Sequence, residues 1–411
     1  MGGTLNQIIN FKTVAGQLLN WIPVDKRHPV HDHRVPKLTT YRTLYLFLFA
    51  LLQNQPSLSE FSAYFRKAKW LQQIVGFSSI SDSALNRRLQ RIPLFLLQEF
   101  YTDLMEALIQ CQLKQDRFPD IGALTVIDST QLSLTAHGEH WAFIQKGQVK
   151  VKLHLGLHVY NEQNVHPGRA VFSTAGVADH DPEVLDRLLQ PDRENPTYVM
   201  DRGYPGYHQF CEWDQAGLRF AVRIKQNNRL TVTRLRPLPP ECGIVEDAEV
   251  LVPSSKGEPH RMRRVTYPYV NRKGKECLSV VLTNRWDVEA PVIAQIYKLR
   301  WQIETFFKTF KHRMNGAHLY TNQAEGVTRQ VLLSLMAYAF MELIRVIGAP
   351  EQTIQRVLQL FRLYADAEPC DFREALEGKK TRTSKGRRKK PKIGRPRKHP
   401  LVPKAKRIVV V

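Results

Sequence analysis

Residues 149–160 constrain the fold of this 411-residue chain more than any other stretch. Val149, Val151, Leu153, Leu155, Leu157 and Val159 alternate with polar residues or Gly156. A period of two marks a β-strand with one apolar face, and its backbone groups need partner strands. The surrounding sequence supplies them. Residues 124–128, Leu-Thr-Val-Ile-Asp, form a short apolar run ending in an acid, as a buried strand does where it reaches the edge of a sheet. Residues 169–174 read as a third strand, 182–190 as a short helix and 197–200 as a fourth strand ending at Asp201. After the breaker-rich turn Asp201-Arg202-Gly203-Tyr204-Pro205-Gly206 come a helix at 207–215 and a fifth strand at 218–224. Three strands, then helix, strand, helix, strand predict an α/β fold: a mixed sheet with helices packed on it.

Two predicted strands thus end in aspartates, Asp128 and Asp201. A third acid lies in residues 297–311, which hold no Gly or Pro and suit a helix. At about 100° per residue, Tyr297, Arg300, Glu304 and Lys311 share one narrow arc, and Leu299, Ile303, Phe306, Phe307 and Phe310 form a separate apolar stripe. Singly, each aspartate could merely bond backbone N–H groups, and Glu304 could be half of an exposed i,i+4 pair with Arg300. Together, two carboxylates ending neighbouring strands and one from a helix crossing that end can hold two divalent cations that prefer oxygen ligands. Such a pair, about 4 Å apart, activates an attacking oxygen and stabilises a leaving oxygen at a phosphodiester. Arg300 and Lys311 would then meet phosphate, the first by its planar fork and the second as a point charge. His137 and His140 read as loop residues near the sheet, since Mg²⁺ prefers oxygen.

The run Tyr297-(2)-Arg300-(3)-Glu304-(6)-Lys311 resembles the Y-(2)-R-(3)-E-(6)-K signature of bacterial DDE transposases of the insertion sequence four family. Asp128 and Asp201-Arg202-Gly203-Tyr204 look like that family's two catalytic aspartate regions. The likeness covers roughly residues 120–345. It implies an RNase H-like catalytic domain with a triad of Asp128, Asp201 and Glu304. It implies two Mg²⁺ ions, replaceable by Mn²⁺, and cut-and-paste transposition: cleavage at the element's ends, then transfer of the freed 3′-OH into target DNA. Tyr297, Arg300 and Lys311 would contact the DNA end. The expected partners are double-stranded DNA (terminal inverted repeats and target) and a second copy of the chain, as a homodimer on DNA. An RNase H-like endonuclease without strand transfer, or a catalytically silent DNA-binding protein of transposase descent, would carry the same residues.

Asp201 and Glu304 stand 103 positions apart, too far for a simple connection. Residues 229–234, 244–252, 260–267 and 276–283 read as strands, which predicts a β-rich insertion at 226–287. His260, Arg261, Arg263, Arg264, Tyr267 and Tyr269 mix cations with aromatics, as a surface tracking DNA would, though a basic solvated strand has the same composition. Trp286 closes the insertion and reads as a buried anchor, the alternative being a ring that stacks on a flipped base. The catalytic domain is thereby divided into 116–225 and 288–350. Residues 1–115 read as a helical DNA-binding domain with helices at 41–53, 57–70 and 94–112. The Ser/Asp run at 78–83 caps another helix, which carries Arg87, Arg88 and Arg91 toward a groove or simply onto a basic surface. His28, His31, Asp32 and His33 sit among prolines and read as a solvated loop. Residues 351–377 form a C-terminal helical segment.

Charge is concentrated at the end. The formal charge is +22, and the 15 Lys and Arg from Gly378 onward, with no acid among them, leave +7 on the rest. The 378–411 tail is expected to be disordered when free and to bind DNA as a polyelectrolyte. Gly394-Arg395-Pro396-Arg397 resembles the core of an AT-hook, which would lay Arg395 and Arg397 in a minor groove, although Ile393 stands where that motif has Arg. Such basicity favours nucleic acid over membrane as partner. The apolar runs read as too short to span a bilayer, and no signal peptide is legible. Five scattered cysteines without a C-x-x-C pair argue for a reducing compartment and against zinc. The expected location is the bacterial cytoplasm, with the nucleoid.

Overall fold

The computed structural model describes residues 14–17, 32, 35, 37–112, 118, 120–134, 143–145, 148–174, 176–179, 181–190, 195–203, 206–228, 230–254, 258–271, 273–316 and 318–378. His28, His31, His33, His137, His140, Tyr204, Arg395, Arg397 and the tail from 379 onward lie outside the described residues.

The predicted mixed sheet is present. β1 (Leu124–Ser133) pairs antiparallel with β3 (Gln148–Val159), which in turn pairs with β2 (Phe143–Gln145) and β4 (Val165–Thr174). On its other edge β1 runs parallel to β5 (Thr197–Met200), and β5 runs parallel to β6 (Arg219–Ile224). The helices α6 (Pro182–Leu188) and α7 (Tyr207–Gln215) connect these parallel strands. The strands of the insertion are β7 (Thr231–Leu235), β8 (Glu246–Val252), β9 (His260–Val270) and β10 (Glu276–Thr283). They extend the same sheet, because β10 pairs antiparallel with β6. The result is a ten-stranded sheet in the order β2-β3-β1-β5-β6-β10-β9-β8-β7, with β4 beside β3.

The pleat sorts side chains onto two apolar layers. Val126, Val199, Ala221 and Val281 join one core; their neighbours Ile127, Met200, Val222 and Leu282 join the other, under α6 and α7. The first core is closed by helices from both ends of the chain: α1 (Thr40–Leu52), α2 (Leu58–Lys67), α3 (Lys69–Val75), α4 (Asp82–Arg91), α5 (Leu94–Gln112), and α8 (Ala290–Lys298), α9 (Trp301–Arg313), α10 (Ala324–Gly348), α11 (Ile354–Leu363) and α12 (Pro369–Glu377). Ser81 caps α4 as its sequence suggested, its Oγ accepting from the Ala84 N–H at 3.2 Å.

Two expectations are corrected. The first strand does not stop at Asp128 but runs on to Ser133, since β3 is long enough to pair every residue of it and Thr130 and Leu132 turn inward. The apolar run near 331–341 belongs to α10, a 25-residue helix long and apolar enough by length and composition to cross a membrane. In the fold 83% of that apolar window is buried, packed against α5, α1, α4 and β4, so it serves as the central helix of a protein core.

Candidate active site

The parallel register of β1 and β5 ends with Ile127 opposite Met200. One residue further, Asp128 and Asp201 stand side by side on adjacent strands, facing the layer that carries α9. Strand spacing of about 4.8 Å brings their carboxylates within interacting range. The third acid arrives from above. α8 and α9 are two helices rather than the single one expected from 297–311. Between them the bonds tighten to i→i+3: Arg300 N–H to Tyr297 O at 3.1 Å, Gln302 N–H to Leu299 O at 3.0 Å. No Gly or Pro marks this break. Ile303, Phe306, Phe307 and Phe310 anchor α9 in the core, and Phe306 packs edge-on against Tyr338 of α10 at 4.7 Å. That leaves Glu304, in the first turn of α9, beside Arg300, which also reaches Asp128 of β1.

Polar contacts tie these elements together. Arg300 Nη2 donates to Glu304 Oε1 at 2.6 Å and its Nη1 reaches Asp128 Oδ2 at 3.5 Å. Tyr297 Oη donates to Asp201 Oδ1 at 3.1 Å. Tyr297 is therefore buried at 6% exposure, not on an open helix face. Burial pushes the Asp128 carboxyl up to about 6; the Asp201 and Asp179 charges push the same way, against the Ser129 N–H and Arg300, which favour its anion. Burial, followed by the adjacent Asp201 charge, also raises the Tyr297 phenol, which stays a proton donor.

Lys311 lies farther along α9, its Nζ donating to Gln131 O at 2.9 Å and so pinning the helix to the extended end of β1. Four residues escaped the sequence reading. Asp179, in the loop after β4, accepts from Ser129 Oγ at 2.7 Å and Lys152 Nζ at 3.2 Å. Lys152 and His154 are the polar face of β3, and both are buried. A lysine inside an alternating strand was the available signal. Arg223 of β6 bonds Tyr269 Oη at 2.8 Å, and its charge is felt by Tyr297.

The other predicted DNA contacts are spread out. Arg87 is exposed on α4. Arg88 is instead held at 2.6 Å by Asp32, which also accepts from the Thr40 N–H, so it ties the chain before α1 to α4. Arg263 is corrected: it is 1% exposed, and its guanidinium is taken by Asp247 at 2.8 and 2.9 Å and by the carbonyls of Arg285 and Val288. From there it reaches no DNA. Arg264 is half-buried on Glu246 and Asn228. Trp286 is half-buried rather than a core anchor, with the Arg261 and Arg236 guanidinium groups 5.1 and 5.7 Å from its ring centroid.

A family model of the transposase DDE domain matches residues 122–340, more than half of the chain and the whole of this constellation. The chain belongs to the transposase DDE-domain family. Among curated relatives, transposase y4zB of Sinorhizobium fredii is 29% identical over 240 residues, covering 56% of this chain and 63% of that one. The transposase for insertion sequence element IS5377 of Geobacillus stearothermophilus is 22% identical over 307 residues, 74% of this chain and 76% of its own length. The transposase for element IS4SA of Synechocystis is 24% identical over 253 residues, 60% and 66% of the two chains. This chain thus spans a little under two thirds of the first of these relatives.

DDE transposases normally use divalent metal ions, and the donor set here suits one chemically. Asp128 and Asp201 offer the hard oxygen ligands that such ions prefer. With Glu304 bonded to Arg300, no three acid, His or Cys side chains among the described residues converge closely enough to hold an ion.

Proposed function

We propose that the chain cuts DNA at the ends of an insertion sequence and joins the freed 3′-OH to target DNA, in cut-and-paste fashion. The observation that carries this reading is that Arg300 and Tyr297 between them bond all three acids, Arg300 reaching Glu304 and Asp128 and Tyr297 reaching Asp201. These three carboxylates would hold two Mg²⁺ ions, with Mn²⁺ able to substitute. When bound, the ions supply activation of the attacking oxygen and charge stabilisation at the leaving oxygen. The residues of the chain do the rest. Tyr297 fixes the orientation of Asp201 through its hydroxyl. Arg300 presents a planar fork that matches two phosphate oxygens, and Lys311 adds positive charge along α9. The α8–α9 turn couples all of these to one rigid, core-anchored element, so that the reacting phosphodiester meets groups already oriented.

The exposed Arg87 on α4 and the half-buried Arg264 on β9 would extend contact along the duplex, and the basic tail would strengthen it non-specifically. Both ends of the element have to be held together for transfer, which calls for a homodimer on DNA. We assign the chain to the bacterial cytoplasm, alongside its DNA.

The test is incubation of the purified protein with a duplex ending in the repeats that flank its own gene, Mg²⁺ and a target plasmid, beside Glu304→Gln. Metal-dependent cutting at the repeat end with joining to the plasmid, lost by at least about 10³-fold in the variant while DNA binding persists, is expected. Cutting without joining would identify a nuclease, and binding without cutting a silent relative. Retained cleavage by Glu304→Gln would remove that residue from the site.

A further inference from the structure

Arg300 sits where the site's negative charge is densest. Its two Nη atoms reach two of the three triad acids, Glu304 at 2.6 Å and Asp128 at 3.5 Å. The neighbouring cations are committed elsewhere: Lys152 to Asp179 and Val177 O, Lys311 to Gln131 O, and Arg223 to Tyr269. A Glu304 oxygen bonded to a guanidinium at 2.6 Å is not free to ligate an ion, and a guanidinium is repelled by a divalent cation placed a few ångströms away. Arg300 is also only 14% exposed in its side chain, so its charge is poorly screened by solvent.

We infer that Arg300 is a tethered counter-ion that competes with divalent metal for Glu304 and Asp128, and that a DNA phosphate draws it off those acids, making metal and DNA bind cooperatively. The inference rests on the metal-binding reading above and adds an order to it. Without DNA the acids are partly neutralised by Arg300 and hold metal weakly. A phosphodiester offers the guanidinium an equivalent pair of oxygens, so Arg300 can move to it without loss of a charge-assisted partner. Glu304 and Asp128 are then released to the ion. Because coupling is reciprocal, metal must tighten DNA binding by the same factor that DNA tightens metal binding. The arrangement would keep a hydrolytic centre poorly loaded until substrate is present.

The experiment uses the full chain and Mn²⁺ alone, with free Mn²⁺ followed by electron paramagnetic resonance. Arg300→Gln is expected to bind Mn²⁺ about fivefold or more tighter than the wild-type chain. Arg300→Lys, which keeps the charge, should stay near wild type, separating loss of charge from loosened packing. Adding a short duplex without terminal repeats should tighten Mn²⁺ binding to the wild-type chain and not to Arg300→Gln. Unchanged or weaker Mn²⁺ binding by Arg300→Gln, or no effect of the duplex on the wild-type chain, would overturn the inference while leaving the metal site standing. An Asp201→Asn control marks binding at the triad. If neither the wild-type chain nor Arg300→Gln shows binding that this control abolishes, the metal reading fails and the inference with it.

Discussion

The pair Glu342–Arg345 on α10 gives the sharpest test of how this fold holds its helices over the sheet. Both side chains are 1% exposed. Arg345 donates Nε to Glu342 Oε2 at 2.9 Å and Nη2 to Oε1 at 2.6 Å. It also bonds Pro350 O at 2.8 Å, Gln163 O at 3.3 Å and the Asn164 side chain. One guanidinium thus fastens the β3–β4 turn and the turn after α10 to the helix against which α9 packs. Replacing Arg345 by Met removes all of this and leaves a buried carboxylate uncompensated, a cost of about 3–5 kcal/mol. That is a large part of the 5–15 kcal/mol typical of a folded domain. In the double variant Glu342→Leu/Arg345→Met the stranded charge is gone. The cost should fall to about 1–3 kcal/mol, the share of the carbonyls and Asn164 left unpaired. The pH dependence follows from burial, which already raises the Glu342 carboxyl against the pull of Arg345. Without Arg345 it rises further, so the folded variant takes up a proton that the unfolded chain does not. Its deficit should shrink as pH falls toward the unfolded value near 4.5. Urea unfolding followed by circular dichroism at pH 7.5 and 5 measures these differences. A single variant costing less than about 1 kcal/mol, or a double variant worse than the single, would refute the reasoning.

Two predictions concern the site and its surroundings. In metal-free buffer Asp128→Asn should stabilise the chain above pH 6 by up to about 3 kcal/mol, because the raised carboxyl favours folding only while protonated; the gain should vanish below about pH 4, and thermal unfolding with chelator across that range checks it. Arg263→Met should cost about 1–3 kcal/mol, because the Arg285 and Val288 carbonyls lose their donor while Asp247 keeps Arg236 at 3.4 Å, with the DNA affinity of the folded protein unchanged within about twofold, as read by salt-matched binding titrations.

Much of this architecture was legible because it rests on short-range periodicity. The alternation in β3 places Val151, Leu153, Leu155 and Leu157 in one core, and the apolar stripe of α9 is buried as its spacing requires. Asp128 and Asp201 were visible as acids following apolar runs, and Glu304 through the spacing of its neighbours. What stayed hidden depends on contacts between distant segments. The break between α8 and α9 carries no breaker residue; Tyr297 and Leu299 are both buried at it. The extension of β1 past Asp128 is dictated by the length of β3, a property of the partner rather than of residues 129–133. Asp179 looked like any loop acid until the chain brought Lys152 and Ser129 to it.

Arg263 and Arg264 show where the limit lies. Adjacent in sequence and identical in type, they differ by one step of the pleat. That step sends Arg263 inward to Asp247, which β8 carries to it, and leaves Arg264 at the rim with Glu246. Which of the two cations is buried and which stays nearer the surface is decided by the register between strands, and a composition argument has no access to register. The same holds at the active site. A carboxylate and an arginine four apart on a helix are ordinarily a surface pair worth a few tenths of a kcal/mol. Arg300 and Glu304 differ because the turn before α9 also brings the guanidinium to Asp128 of β1, a second acid from a distant segment.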